Sequence, residues 1–175
     1  MKLTRFVFVL ANGIVVRRDN AVKPNQVMVP RFYPIILRKK ILMIRPFASK
    51  VYANDLAVKA IERLSQYEWF QELSFTIVGD GVLFDQTVEP LRDLPNVRIE
   101  QCFLQQDEIA ELHKAHGIFL CPSRMDTQGV SRDEAMSSGL VPITNSVGAI
   151  PDFVTDESCM LAAAEDFIGI ATAIE

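Results

Sequence analysis

The 175-residue sequence has little of what many chemistries require. It holds two histidines, His113 and His116, and three cysteines, Cys102, Cys121 and Cys159. The cysteines are odd in number, far apart and set in or beside apolar segments, so neither a disulfide framework nor a zinc-ligand spacing emerges. They read as buried, reduced thiols of a cytosolic protein. The histidines fall near the end of an expected helix and read as cap or surface residues. Net charge is −4 and no basic patch stands out, which argues against a nucleic-acid partner. No apolar run approaches the roughly 20 residues of a membrane span. Residues 6–10 follow Lys2 and Arg5 as in a signal peptide, but Asn12 and Gly13 interrupt the run and no small-residue cleavage site follows. There is no GxxxxGK[ST] loop, against a P-loop NTPase, and no GxGxxG after the first regular strand, against a nicotinamide enzyme. Internal repeats and low-complexity tracts are absent as well.

What the chain does have is apolar material, 49% of it, in short runs that alternate with amphipathic segments. Strands are expected over 41–44, 73–78, 97–102, 118–121 and 140–144. Helices are expected from Asn54 or Asp55 to about Tyr67, over 84–94 (shortened or kinked by Pro90), over 105–116 and over 130–138, with a further one in 162–175. Strands alternating with helices imply an α/β, Rossmann-like three-layer domain with a parallel sheet. Residues 1–40 do not join this pattern. Short strands are expected at 6–10 and 14–16, and Pro24, Pro30 and Pro34 forbid a long helix. We take 1–40 as an appendage or linker, and 41–175 as the domain.

Ligands of parallel α/β folds bind beyond the carboxyl ends of the strands. Three loops fall there: 45–50, 79–81 and 126–131. In the last, Gly129 opens a helix whose first amides, those of Val130 and Ser131, can meet a phosphate. Asp126 and Glu134 flank that helix start and can accept from hydroxyl pairs. The alternative is that Asp126 caps a turn and Glu134 is a solvated helix carboxylate. Arg45 and Lys50 can hold a diphosphate, Arg through a two-oxygen grip and Lys as a point charge. Their alternative is a surface ion pair and a solvated lysine. Phe103 lies near a strand end where it can stack on a base or simply pack. Whether the three loops converge depends on strand order.

The run PSRMDTQGVSRDEAMSSGLVPITNSVGAIPDFV, residues 122–154, resembles the carboxyl-terminal signature of group 1 (family 4) retaining glycosyltransferases of the GT-B fold. That signature has an acidic residue, seven others, Glu, then Ala-Met, a glycine, a proline-containing strand and a Gly-x-x-Pro turn. This chain has Asp126 where the family usually has Glu. RPFASK, residues 45–50, is similar in position and spacing to the family's Arg and Lys on the donor diphosphate.

The resemblance covers about 41–175 and implies the donor-binding half of a GT-B enzyme. It implies a UDP-, GDP- or dTDP-linked sugar as donor substrate, no cofactor and no metal, in keeping with the lack of an Asp-x-Asp pair. It gives Arg45, Lys50 and Asp126 catalytic roles on diphosphate and sugar. It assigns Gly129, Val130 and Ser131 to donor binding, and Glu134 to the ribose hydroxyls. The acceptor, a saccharide or glycolipid, is expected on an amino-terminal domain of which 1–40 is at most a remnant, and the last helix is expected to be cut short. The expected setting is polysaccharide or glycolipid assembly, in the cytoplasm or peripheral to a membrane. The rival readings are a non-catalytic nucleotide-binding or interaction module and a GT-B-like sugar-nucleotide epimerase.

Overall fold

The computed structural model describes residues 7–9, 15–17, 35–155 and 157–175. Strands β1 (Val7–Val9) and β2 (Val15–Arg17) pair antiparallel in a separate two-stranded sheet. The proline-rich stretch 24–34 lies outside the described residues. A 3₁₀ turn, Ile35–Lys39, then leads into the main domain.

That domain runs β3 (Lys40–Ile44), α1 (Asn54–Leu64), β4 (Ser74–Gly79), α2 (Phe84–Val88), β5 (Val97–Gln101), α3 (Gln106–Ala115), β6 (Ile118–Leu120), α4 (Val130–Ser137), β7 (Val141–Asn145), α5 (Ile150–Phe153), β8 (Met160–Ala162) and α6 (Phe167–Ile174). The sheet order is β5-β4-β3-β6-β7-β8, with every neighbouring pair parallel. The fold is therefore the expected Rossmann-like α/β sandwich. The strand period of two explains why the central strands read as unbroken apolar runs. Ile41 and Met43 face a core shared with α1, α2 and α6, where Leu56, Ile61, Phe84 and Ile170 are buried. Leu42, between them, faces the opposite core with Phe119, its register partner on β6, and with Ala135 of α4.

Several details differ from the sequence reading. Neither Asn54 nor Asp55 caps α1. The cap position is Ala53, in a left-handed conformation (φ 50°), and the Asn54 amide turns back to donate to the Pro46 carbonyl at 2.8 Å. Pro90 does end α2 early, and Glu89–Leu91 continues as a 3₁₀ turn. Helix α5 and strand β8 were not expected; at four and three residues they are too short to show a period.

His116 is the C-cap residue of α3, as one of the two readings had it, but neither histidine is on the surface. Both are buried where α3 hands the chain back under the sheet. His116 Nδ1 faces the Leu112 carbonyl at 2.7 Å, so it carries the proton, and Nε2 then accepts from Thr76 Oγ1 at 3.0 Å. His113 lies 3.2 Å from Ser138 Oγ and edge-on to Phe119. Cys121 and Cys159 are buried as expected, but Cys102 is exposed, because it falls just past the end of edge strand β5.

Candidate functional site

The strand order answers the question of convergence. β3 and β6 are neighbours at the middle of the sheet, and the chain leaves them in opposite directions, to β4 on one side and β7 on the other. This is a topological switch point, where the outgoing loops part and leave a crevice. The loop after β3 is pinned by Phe47, which is buried and packs edge-on against Phe84 with ring centres 4.7 Å apart. The second loop docks on the first through Phe47 N–H to the Asp80 carbonyl at 2.8 Å.

Arg45 crosses the switch point. It is 7% exposed, donates from Nη1 to Ser131 Oγ at 3.3 Å and from Nη2 to the Pro122 carbonyl at 3.2 Å, and lies over the Tyr52 ring. Its Nε–H is buried without a partner, and no carboxylate among the described residues is paired with it. A first-loop cation and the α4 N-terminus are thus joined directly. Lys50 is exposed and makes no ion pair with a described residue. Its side chain lines a groove of about 290 Å³ between α1 and α2, with Ser49, Asp55 and Lys59, rather than joining the Arg45–Ser131 pair.

On the other side, Gly129 takes φ 78° as the residue before α4, a helix start whose first amides have no capping side chain. A Cβ at Gly129 would stand 2.8 Å from the Arg132 guanidinium. Asp126 Oδ1 accepts from Gln128 N–H at 3.0 Å, an Asx turn that leaves Oδ2 unengaged. The Asp126 carbonyl accepts from Ala149 N–H at 3.1 Å, which ties this loop to the Gly148 turn after β7. The half-buried Glu134 carboxylate makes no hydrogen bond or ion pair with a described residue.

Two arginines were missed in the sequence. Arg132 is 2% exposed, donates to the Gln128 carbonyl and pairs with Asp133 at 2.7 Å, yet keeps one buried Nη1 without a partner. Arg124 holds two carboxylates beside the Lys50 segment. Neither stood out because both read as loop or helix charges, the commonest surface feature. Burial pushes the Cys121 thiol up to about 11 despite nearby Arg45 and Arg132, so it is no nucleophile. Phe103 is 81% exposed beyond β5, unpacked rather than buried. No cluster of three or more metal-ligating side chains occurs among the described residues.

Fold and crevice together define a Rossmann-like domain with a buried arginine at its switch point. Residues 38–175 match the family model described as glycosyl transferases group 1. The chain belongs to the group 1 glycosyltransferases. It is 30% identical over 100 residues to sulfoquinovosyl transferase SQD2 of Arabidopsis thaliana. That match covers 57% of this chain and 19% of the plant protein, so the chain spans about a fifth of the length of this curated relative. TarM superposes with a TM-score of 0.68 at 17% identity, over 83% of this chain and 28% of TarM. The C-terminal domain of LpcC, a glycosyl transferase group 1 family protein from Francisella tularensis, does so with a TM-score of 0.63 at 21% identity, over 77% of this chain and 73% of that one. These likenesses show the fold, the Rossmann-like carboxyl-terminal half of a GT-B architecture.

Proposed function

We propose that this domain binds the nucleotide-diphosphate sugar of a retaining, metal-independent glycosyl transfer to a saccharide or lipid-linked acceptor. The observation that carries it is Arg45. A buried guanidinium without a carboxylate is costly unless an anion completes its hydrogen bonds. Here it is held against the N-terminus of α4, where amides and helix dipole also favour an anion.

In this proposal Arg45, Lys50 and the amides of Val130 and Ser131 meet the diphosphate, with Gly129 allowing close approach. Lys50 swings from the α1–α2 groove on its flexible stem to do so. Glu134 accepts from the ribose hydroxyls, and Asp126 Oδ2 accepts from a hydroxyl of the sugar. As the bond from the anomeric carbon to the diphosphate oxygen breaks, negative charge grows on that oxygen. Preorganised cations and amides stabilise it more in the transition state than in the ground state. The departing diphosphate takes the acceptor's proton on the same face, and the anomeric configuration is retained. The acceptor is held by another domain.

Titration of the chain with UDP, GDP, dTDP and their sugars tests this. One nucleotide is expected to bind selectively and to be unaffected by EDTA. Arg45→Ala and Glu134→Ala are each expected to weaken it about 10- to 100-fold, the scale of one or two lost charged hydrogen bonds. No binding by any of the three sinks the proposal. The chain alone is expected to bind without turnover. Release of the free diphosphate without an acceptor would point to epimerase chemistry instead.

A further inference from the structure

We infer that Arg124 is a positioning residue, a clasp that fixes the Lys50 segment against the Asp126 loop and offsets part of the negative charge beside it; this rests on the donor-site proposal above. A guanidinium has five N–H donors in a rigid plane. Arg124 uses all five. Nη1 donates to Asp55 Oδ1 and to the Lys50 carbonyl, both at 2.7 Å. Nη2 donates to Asp55 Oδ2 and to Glu165 Oε2, both at 2.9 Å, and Nε donates to Glu165 Oε1 at 2.6 Å.

The partners come from three separate places: the loop after β3, the first turn of α1, and the approach to α6. Glu165 there holds a left-handed backbone, φ 56°, that a non-glycine residue adopts at a cost. Arg124 itself stands two residues before Asp126. Its own N–H donates to the Val51 carbonyl at 2.9 Å, and Ser123 Oγ reaches the same carbonyl at 3.4 Å. The 50–51 backbone is thus sewn to the Asp126 loop through two successive carbonyls. Ordinary surface ion pairs contribute little. Two carboxylate forks on one guanidinium whose side chain is 25% exposed form a network instead.

The electrostatic consequence is as direct as the geometric one. Arg124 holds the Asp55 carboxyl below its ordinary pKa, chiefly through their hydrogen bond, so Asp55 stays ionised. Without Arg124, Asp55 and Glu165 would oppose each other across the loop. They would also offer Lys50 a competing ion pair and repel a diphosphate. With it, three charges sum to −1 in a fixed plane, and Lys50 is left without an acidic partner among the described residues.

Two measurements on the full chain test the clasp, with Arg124→Gln and, as the variant surest to fold, Arg124→Lys, which keeps the charge but cannot form both forks. The first needs no ligand. Amide hydrogen exchange is expected to quicken about tenfold over 50–53 and 165–169 while β3 and β4 keep their protection. Unchanged exchange there overturns the clasp. The second is a cycle with Lys50→Gln, reading the Kd of whichever of UDP, GDP or dTDP the wild type prefers. Arg124→Gln is expected to weaken binding about tenfold, yet to add nothing in the Lys50→Gln background. Additive losses mean a general structural role and overturn the inference. A wild type that binds none of the three overturns the donor-site proposal and the part of this inference that concerns Lys50, while the exchange data still decide the clasp by themselves.

Discussion

Arg45 shows at the scale of one residue how a site differs from a core. A hydrophobic side chain of its size would fill the same space without a buried charge. Among the described residues, Arg45 keeps that charge with a serine hydroxyl and a carbonyl as its hydrogen-bond partners and the Tyr52 ring beneath it. Arg45→Met is therefore expected to leave thermal stability unchanged or raised, because relief of the unpaired charge offsets two orphaned acceptors. The same variant is expected to lose diphosphate affinity at least tenfold. A loss of stability equal to that of a core truncation, about 2–5 kcal/mol, would make Arg45 structural instead. The residue type and its place after a strand were legible in the sequence. Its burial and its reach to Ser131, 86 residues away, were not, since a contact across the switch point has no local signature.

Among the elements, α4 concentrates the site because its start is unusual. It has no side-chain cap, begins on a left-handed glycine, and lies over a buried arginine. Gly129→Ala places a Cβ against the Arg132 guanidinium in a conformation that costs an L-residue about 1–2 kcal/mol. It is expected to destabilise by at least that amount in urea unfolding. Gly148→Ala is expected to be worse, because its Cβ would stand 2.4 Å from the Asp126 carbonyl, a backbone atom that cannot rotate away. It should also displace Asp126 and so weaken sugar-nucleotide more than free-nucleotide binding. Equal effects on both ligands would detach Asp126 from the sugar. The helix and its glycine were readable from the spacing of apolar residues and punctuation. The Asx turn on Asp126 was one of two open alternatives, and the structure shows that the turn still leaves one carboxylate oxygen unengaged.

The whole molecule carries one pH dependence that a site-centred view would miss. Burial lowers His113 to about 4, with neighbouring His116 adding repulsion, and His116 is lowered as well, chiefly by burial. Both are neutral in the fold and take up protons on unfolding below about 6.5. The unfolded state thus binds more protons, and stability rises with pH across this window. Above about 6.5 this contribution is fully present; it is lost as pH falls toward 4, by about 3 kcal/mol for His113. Chemical denaturation at a series of pH values is expected to show that slope. His113→Leu is expected to flatten it, and an unaltered slope in that variant would assign the effect elsewhere.

The sequence by itself determined the α/β class, the order of its longer elements, and which residue types stand at the strand ends. Those follow from local rules: apolar period, helix-stopping glycine and proline, and the spacing of charges along one chain. The tertiary structure alone decided that β3 and β6 lie side by side, that Arg45 therefore meets α4, and that Arg124 binds three segments at once. It also decided that two histidines read as cap or surface groups are buried. Each of these joins residues distant in sequence, and such contacts are set by sheet order and packing rather than by any neighbourhood along the chain.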